Sequence, residues 1–113
     1  METAEKNDLF GICPVVTAQK VLSGKWTFLI LNFLNQKTFR FNELQRLLPE
    51  LTQATLTKQL RILEKNGLVL RVAYNQIPPK VEYSLTELGK QVAPVLKALE
   101  TWGNYYIHSY LNK

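Results

Sequence analysis

The stretch LTQATLTKQLRILEKNGLV, residues 51–69, carries a complete helix signal together with an unusual distribution of charge. Leu56, Leu60 and Leu63 follow one another at intervals of four and three, so they share one side of an α-helix. Thr52 is a suitable N-cap, because its hydroxyl can accept a hydrogen bond from the first turn. The stretch therefore predicts a helix whose leucines face the protein core.

The side of this helix opposite the leucines is basic. A rotation of about 100° per residue places Ala54, Lys58, Arg61 and Lys65 on that side, whereas Glu64, the only acid in the helix, falls toward the edge of the core. Solvated helix faces usually mix acids with bases. The acid-poor face therefore favours contact with a polyanion, and the alternative is an ordinary solvated face.

The sequence on either side predicts further helices and a hairpin. Gly67 suits the left-handed position after a helix, and beyond it the apolar period falls from 3.6 to 2. Pro78 and Pro79 interrupt the alternation, because proline cannot donate to a strand ladder. The predicted elements, in chain order, are helices at 14–22 and 25–35, a short strand within 37–41, helices at 42–48 and 53–66, strands at 68–74 and 81–85, and a helix over 86–112.

This order of elements predicts a winged helix-turn-helix. A short turn joins the third and fourth helices, and the two strands that follow form the wing. The predicted fold class is mainly α with a small β hairpin and an added C-terminal dimerisation helix, over 86–112. We expect residues 1–113 to form one domain, in which residues 1–12 are a loose N-terminal arm.

Composition narrows the function classes. Residues 40–80 carry seven Lys or Arg and three Glu, so this third holds +4 of the net charge of +5. The single Cys and single His exclude an intrachain disulfide and a cysteine-based zinc site, and we expect no metal and no cofactor.

No apolar run reaches the length of a membrane span, and no secretory signal opens the chain, so the cytoplasm is the expected compartment. No phosphate-binding loop, paired carboxylates or nucleophile motif is present, and we expect no catalytic residue and no enzyme activity.

The second helix of a helix-turn-helix enters the major groove of DNA, with base contacts concentrated near its N-terminus. Gln53 has the geometry to read adenine and Arg61 to read guanine, while Lys58 and Lys65 suit phosphates. On the hairpin, Arg71 and Lys80 suit phosphate or minor-groove contact, the alternative for Lys80 being a solvated turn residue. The predicted DNA-binding residues are Thr52, Gln53, Ala54, Thr55, Thr57, Lys58, Arg61, Lys65, Arg71 and Lys80.

The last helix carries more apolar surface than one small domain can bury. Its apolar side chains recur at steps of three and four, which predicts a continuous seam and therefore a homodimer. The alternative is a monomer with a frayed C-terminal tail. Pro94 and Gly103 are awkward inside a helix, so we expect a bend near each. The predicted interface residues are Val95, Leu99, Trp102, Tyr106 and Tyr110.

Five segments carry a family resemblance. They are CPV at 13–15, GKW at 24–26, RFNELQRLLPELTQATLTKQLRILEKNGLVLR at 40–71, PPKVEYSLTELGK at 78–90 and PVLKALETWG at 94–103. On these residues the chain resembles the HxlR-type winged helix-turn-helix transcriptional regulators of bacteria, relatives of the MarR type. The resemblance spans about nine-tenths of the chain. It implies a homodimer that binds a palindromic operator in double-stranded DNA, usually near its own or a neighbouring gene.

Cys13 is a candidate redox sensor. It precedes Pro14 at the start of the first helix, a position that favours the thiolate. Several members of the resembled family sense oxidants or electrophiles through a cysteine in this N-terminal position. With no second cysteine in the chain, the available products are an intersubunit disulfide, a mixed disulfide or an alkylated thiol.

Other functions stay open at this point. Cys13 is alternatively a packing residue, with control by a small-molecule effector bound between the last helix and the core. A winged helix can also serve as a protein-interaction module, which would not need an acid-poor helix face and would show little salt dependence. His108 lies in an aromatic segment with no acid nearby in sequence, so we read it as a packing residue.

Overall fold

The computed structural model describes residues 9–112, and their fold confirms the predicted class. It is mainly helical with a small antiparallel sheet. The elements are α1 (Pro14–Val21), α2 (Thr27–Gln36), β1 (Phe39–Arg40), α3 (Phe41–Leu47), α4 (Gln53–Lys65), β2 (Val69–Tyr74), β3 (Lys80–Leu85), α5 (Glu87–Lys90), α6 (Ala93–Tyr106) and a π-helical turn (Ile107–Leu111). Helices α3 and α4 form the helix-turn-helix, and β2 and β3 form the wing.

The sheet has three strands in the order β1-β3-β2, all antiparallel. Strand β1 is the short strand expected within 37–41, and it pairs Phe39 with Tyr83. The sequence had suggested that this strand includes Phe41, but α3 begins at that residue. Phe39, Tyr83 and Leu85 are buried, so one face of the sheet covers the helical core. Alternation along β2 then places Arg71 on that inner face, opposite Tyr83.

Helix α2 is the centre of the core, as its nearly continuous apolar sequence indicates. The α4 leucines lie in the same buried cluster, as predicted, and α3 adds a further leucine. The most deeply buried large side chains are Ile30, Leu31, Leu44, Leu48, Leu56, Leu60 and Leu63. Burial of one such side chain contributes about 1.5–3 kcal/mol, so this cluster fixes how the helix-turn-helix sits on the rest of the protein.

The C-terminal region is not the single helix predicted over 86–112. Helix α5 ends at Lys90, and Pro94 then lies in the first turn of α6, where its missing N–H leaves no hydrogen bond unmade. Helix α6 runs through Gly103 without interruption, so the expected irregularity there is absent. The irregularity falls at Ile107 instead, where a π-helical turn is closed by Asn112 N donating to Ile107 O at 2.9 Å.

Helix α6 extends away from the core. Leu96 is its only buried residue, and the Cα radius of gyration is 16.3 Å, against roughly 13 Å for a compact domain of about 100 residues. At the other end, residues 9–12, assigned by sequence to a loose arm, form a turn in which Cys13 N donates to Leu9 O at 2.8 Å. The rest of the predicted arm, residues 1–8, lies outside the described residues. None of the helices within 9–112 has the length and apolarity that a bilayer crossing requires.

Candidate nucleic-acid interface

Side-chain hydrogen bonds hold the turn before α4. Gln45 Nε2 of α3 donates to Leu51 O at 2.7 Å, and Thr52 Oγ1 accepts from Thr55 N at 3.1 Å as the N-cap. The predicted N-cap is therefore confirmed. The Thr52 hydroxyl also donates to Thr55 Oγ1 at 2.9 Å. These contacts fix where the N-terminus of α4 projects from the protein surface.

Helix α3 has its own cap, which sequence reasoning missed. Arg40 N donates to Glu43 Oε1 at 2.8 Å, and Lys37 Nζ lies 3.8 Å from Glu43 Oε2. The hydrogen bond from Arg40 holds the pKa of Glu43 below its ordinary value, and the Lys37 charge adds to the effect. An acid at the third helical position was the available sequence signal.

The outer face of α4 is open to solvent. Thr52, Gln53, Ala54, Lys58, Arg61 and Lys65 are exposed, and Thr55 and Thr57 are half-buried. Thr57 Oγ1 donates to Gln53 O at 2.9 Å, so the Thr57 hydroxyl, like that of Thr52, already serves the helix itself. The long polar side chains on this exposed face are Gln53, Lys58, Arg61 and Lys65.

A groove of about 490 Å³ separates α4 from the wing. Arg61 on α4 and Arg71 on β2 both line it, so the sheet register brings the two arginines to one surface. Glu64 is the only acid in the groove, and it lies more than 4 Å from any cationic nitrogen within the described part of the chain. Two guanidinium groups beside the α4 face are suited to a phosphate backbone, because each offers several N–H donors in a fixed plane.

Lys80 is not part of this surface. It pairs with Tyr74 in the register, which places both side chains on the outer face of the wing. Lys80 Nζ lies 3.6 Å from Glu82 Oε2 and 4.4 Å from the centroid of the Tyr74 ring. The Tyr74 hydroxyl donates to Glu82 Oε1 at 2.9 Å, and this bond, with the carboxylate charge, raises the pKa of Tyr74 above its ordinary value. The charge of Lys80 is thus compensated within the wing.

The C-terminal end of α4 has the predicted glycine, and it is also held by Thr86, a contact that sequence reasoning did not predict. Gly67 has φ +81°, as the left-handed position requires, and its carbonyl accepts from Thr86 Oγ1 at 2.6 Å. Thr86 also caps α5 by accepting from Gly89 N at 3.0 Å. A Cβ on Gly89 would overlap the Leu68 carbonyl, so only glycine permits this close approach. The Thr-x-x-Gly sequence after a strand was the signal available.

An apolar seam runs along α6 and the π-helical turn. Trp102 stacks on Tyr106, and the ring of Tyr110 lies tilted against that of Tyr106, each pair at a ring-centroid distance of 5.2 Å. Trp102 is 62 % exposed and Tyr110 66 % exposed. The predicted interface residues Val95, Leu99, Trp102, Tyr106 and Tyr110 are all exposed, so within residues 9–112 this seam has no covering element.

Cys13 is half-buried at the N-cap of α1, and its side chain makes no capping hydrogen bond. Its neighbours Ile12 and Pro14 line a groove of about 530 Å³ whose other walls include Asn66 and Leu68, at the C-terminal end of α4. The residues on either side of Cys13 therefore share a groove with the end of the candidate DNA-binding helix. Among residues 9–112, no group of three or more His, Cys, Asp and Glu side chains is placed to hold a metal ion.

The helix-turn-helix, the two-stranded wing in its three-stranded sheet and the acid-poor face of α4 define a winged helix-turn-helix protein. The sequence model for the HxlR-like helix-turn-helix matches residues 21–110, and the chain belongs to this family. Its relatives are transcriptional regulators, not enzymes, and this chain is a transcriptional regulator of the same kind.

Individual relatives cover most of the chain. YkvN of Bacillus subtilis, an HTH-type transcriptional regulator, is 49 % identical over 94 residues, which are 83 % of this chain and 80 % of YkvN. YdeP of the same organism is 46 % identical over 100 residues, 88 % of this chain and 78 % of YdeP. Among solved structures, the redox regulator HypR in its reduced form gives a TM-score of 0.82 at 41 % identity, covering 88 % of this chain and 98 % of HypR.

Proposed function

We propose that this regulator binds a palindromic DNA operator as a homodimer, with α4 of each protomer in the major groove. The observation that carries the proposal is the set of free cations on one surface. Lys58, Arg61 and Lys65 of α4 and Arg71 of β2 are exposed, and none of them forms an ion pair with another described residue. Cations that the protein's own acids do not neutralise attract DNA phosphates and release bound counterions.

The positions along α4 suggest separate roles. Gln53 in the first turn is placed to read adenine, and Arg61, two turns later, to read guanine. Ala54 lets the helix backbone approach the bases closely. Lys58 and Lys65, with Arg71 from the wing, suit phosphates on either side of the groove. Thr52, Thr55 and Thr57 hold the helix start, because their hydroxyls bond to one another or to the helix backbone.

The exposed seam on α6 supports the homodimer. Isolated proteins rarely leave a continuous row of large aromatic side chains in water, whereas subunit interfaces are enriched in them. A two-fold dimer would present two copies of α4 to half-sites about one DNA turn apart, as a palindromic operator requires.

The test is binding to a fluorescent duplex taken from upstream of the protein's own gene, measured by anisotropy over a salt series of about 50 to 200 mM. A dimer carries two copies of these four free cations. At about −0.9 per phosphate contacted, they contribute no more than about −7 to the slope of log K against log salt concentration. Lys58→Ala should make this slope less steep. The control Lys97→Ala, which removes an exposed lysine from α6, should leave the slope unchanged. A protein-interaction module would instead show no competitor-resistant binding to any duplex.

Thiol control through Cys13 is the second part of the proposal. The structural similarity to HypR, a redox regulator also solved in its oxidised form (TM-score 0.77, 44 % identity, 82 % of this chain and 96 % of that chain), supports it. The groove that joins the surroundings of Cys13 to the end of α4 offers a physical connection to DNA binding. When diamide oxidises a dimer, two Cys13 thiols would form one disulfide, and their two protons and two electrons would reduce diamide to the hydrazine.

The thiol test compares DNA binding by reduced and diamide-treated protein, with Cys13→Ser as the matched control. Sensing predicts altered affinity on treatment, reversal by a thiol reductant and insensitivity of Cys13→Ser. Non-reducing electrophoresis distinguishes an intersubunit disulfide from a mixed disulfide. Unchanged binding after complete oxidation would make Cys13 a packing residue and leave a small-molecule effector as the source of control.

A further inference from the structure

One acid interrupts the basic surface that is proposed to bind DNA. Glu64 lies half-buried in the last turn of α4 and lines the groove between α4 and the wing, together with Arg61 and Arg71. A rotation of about 100° per residue brings Glu64 to the side of the helix that carries Gln53 and Thr57, and both of these line the groove as well. The carboxylate therefore belongs to the wall that faces a DNA strand lying between α4 and the wing.

The free protein leaves this carboxylate without a cation. Within residues 9–112, Glu64 lies more than 4 Å from any Lys or Arg nitrogen. Arg61 precedes Glu64 by three positions, a spacing at which helical side chains are neighbours, so a change of rotamer is enough to pair them. Arg71 enters the same groove from β2. Two guanidinium groups thus share a groove with an acid that neither of them neutralises.

A carboxylate at this place opposes the binding of phosphates. Phosphate and carboxylate carry like charges, and the partial burial of Glu64 reduces the screening of that repulsion by salt. Sequence-independent DNA binding comes from phosphate attraction, so the repulsion acts on it in full. A guanidinium has five N–H donors in one plane, however, and an arginine held against DNA by one edge can donate to Glu64 from another.

We propose that Glu64 is a specificity determinant that weakens binding to DNA lacking the operator sequence. At an operator, base contacts fix the register of α4 and hold Arg61 and Arg71 where they neutralise Glu64. On other DNA the arginines follow the phosphates, and Glu64 faces the backbone uncompensated. Specificity is a difference between two affinities, so a repulsive group that acts mainly on the wrong partner increases it. The inference rests on the proposed DNA-binding function and adds to it a residue that selects against other sequences.

The experiment uses two fluorescent duplexes of equal length and base composition. The wild-type protein selects one from a randomised pool, and the other carries the same half-sites in scrambled order. Glu64→Gln removes the charge and keeps the size of the side chain. The matched control Glu100→Gln removes an exposed acid from α6 and changes the net charge by the same amount. Anisotropy gives the affinities at about 100 and about 200 mM salt, and urea unfolding verifies that each variant is folded.

We expect Glu64→Gln to bind the scrambled duplex roughly three- to tenfold more tightly than the wild type does, and the selected duplex less than about twofold more tightly, since like charges near a protein surface repel by this order. The gain on the scrambled duplex should shrink as salt rises. Glu100→Gln should match the wild type on both duplexes. The inference is overturned if Glu64→Gln gains equally on both duplexes or on neither. If the wild type selects no duplex at all, the proposed function itself fails, which is a distinguishable outcome.

Discussion

Replacement of Trp102 by alanine tests whether the α6 seam joins two protomers. Trp102 is 62 % exposed in the protomer and stacks on Tyr106. An aromatic side chain of this kind buries about 150–250 Å², so on the order of 130 Å² of Trp102 is still available for burial against a second copy. At about 25 cal/mol per Å² this area corresponds to roughly 3 kcal/mol per side chain.

A two-fold dimer contains two copies of Trp102, and the alanine keeps part of the contact. We therefore expect Trp102→Ala to cost about 3–4 kcal/mol of dimerisation free energy in total, which is roughly a 10²- to 10³-fold rise in the dimer dissociation constant. The assay is sedimentation over a wide range of protein concentration. Affinity for the operator should fall with the dimer fraction, because a monomer contacts one half-site only.

The control is Asn104→Ala, on the same helix. Asn104 is exposed and lies about 200° around α6 from Trp102, so the seam should not include it. Its replacement should leave the dimer constant unchanged. Equal dissociation constants for the wild type, Trp102→Ala and Asn104→Ala would refute the assignment of the interface, as would a wild-type protein that remains monomeric.

Three further substitutions test other parts of the structure. Arg61→Ala should cost about 1–3 kcal/mol of specific DNA binding and relax the preference at one base pair, whereas Arg61→Lys should keep the salt slope and lose only the base preference; unchanged selectivity in both would exclude a base contact. Glu82→Gln should release Lys80 from its ion pair and make the slope of log K against log salt steeper by up to about 1 per protomer. The control Glu100→Gln releases Lys97 on α6 in the same way and should have no effect on DNA titrations. Gly89→Ala should lower the free energy of unfolding, measured in urea, by roughly 1–3 kcal/mol, because the new Cβ would overlap the Leu68 carbonyl. Gly103→Ala has open space around its new Cβ, so it should instead stabilise α6 by about 0.5–1 kcal/mol.

The helices were predictable because their signals are local. The leucine spacing, the Thr52 cap and the Gly67 terminus of α4 all lie within 16 residues of one another, and the structure confirms each of them. The same locality explains why the order of the elements followed from hydrophobic periodicity alone. Boundaries moved by one or two residues, as at α2, where Trp26 is the residue before the first helical turn.

The features that were missed depend on contacts that the sequence pattern alone does not show. The Thr86 hydroxyl donates to the Gly67 carbonyl from 19 positions away, and no local sequence pattern links the two residues. Glu82 neutralises Lys80 because both point to the same face of one strand, but the sequence had suggested a phosphate contact for Lys80 from its position beside two prolines. Pro94 correctly indicated the break before α6. The second bend was expected at Gly103, where the helix is regular, because a single glycine need not interrupt a helix.

The alternation of side chains along the wing determines which of its cations is available to DNA. Arg71 faces α4 and joins its free cations, whereas Lys80 faces outward and is paired with an acid. Salt-dependent affinity should consequently reside in α4 and Arg71. Raising the salt concentration should therefore weaken DNA binding steeply, because screening acts on the phosphate contacts that these free cations make.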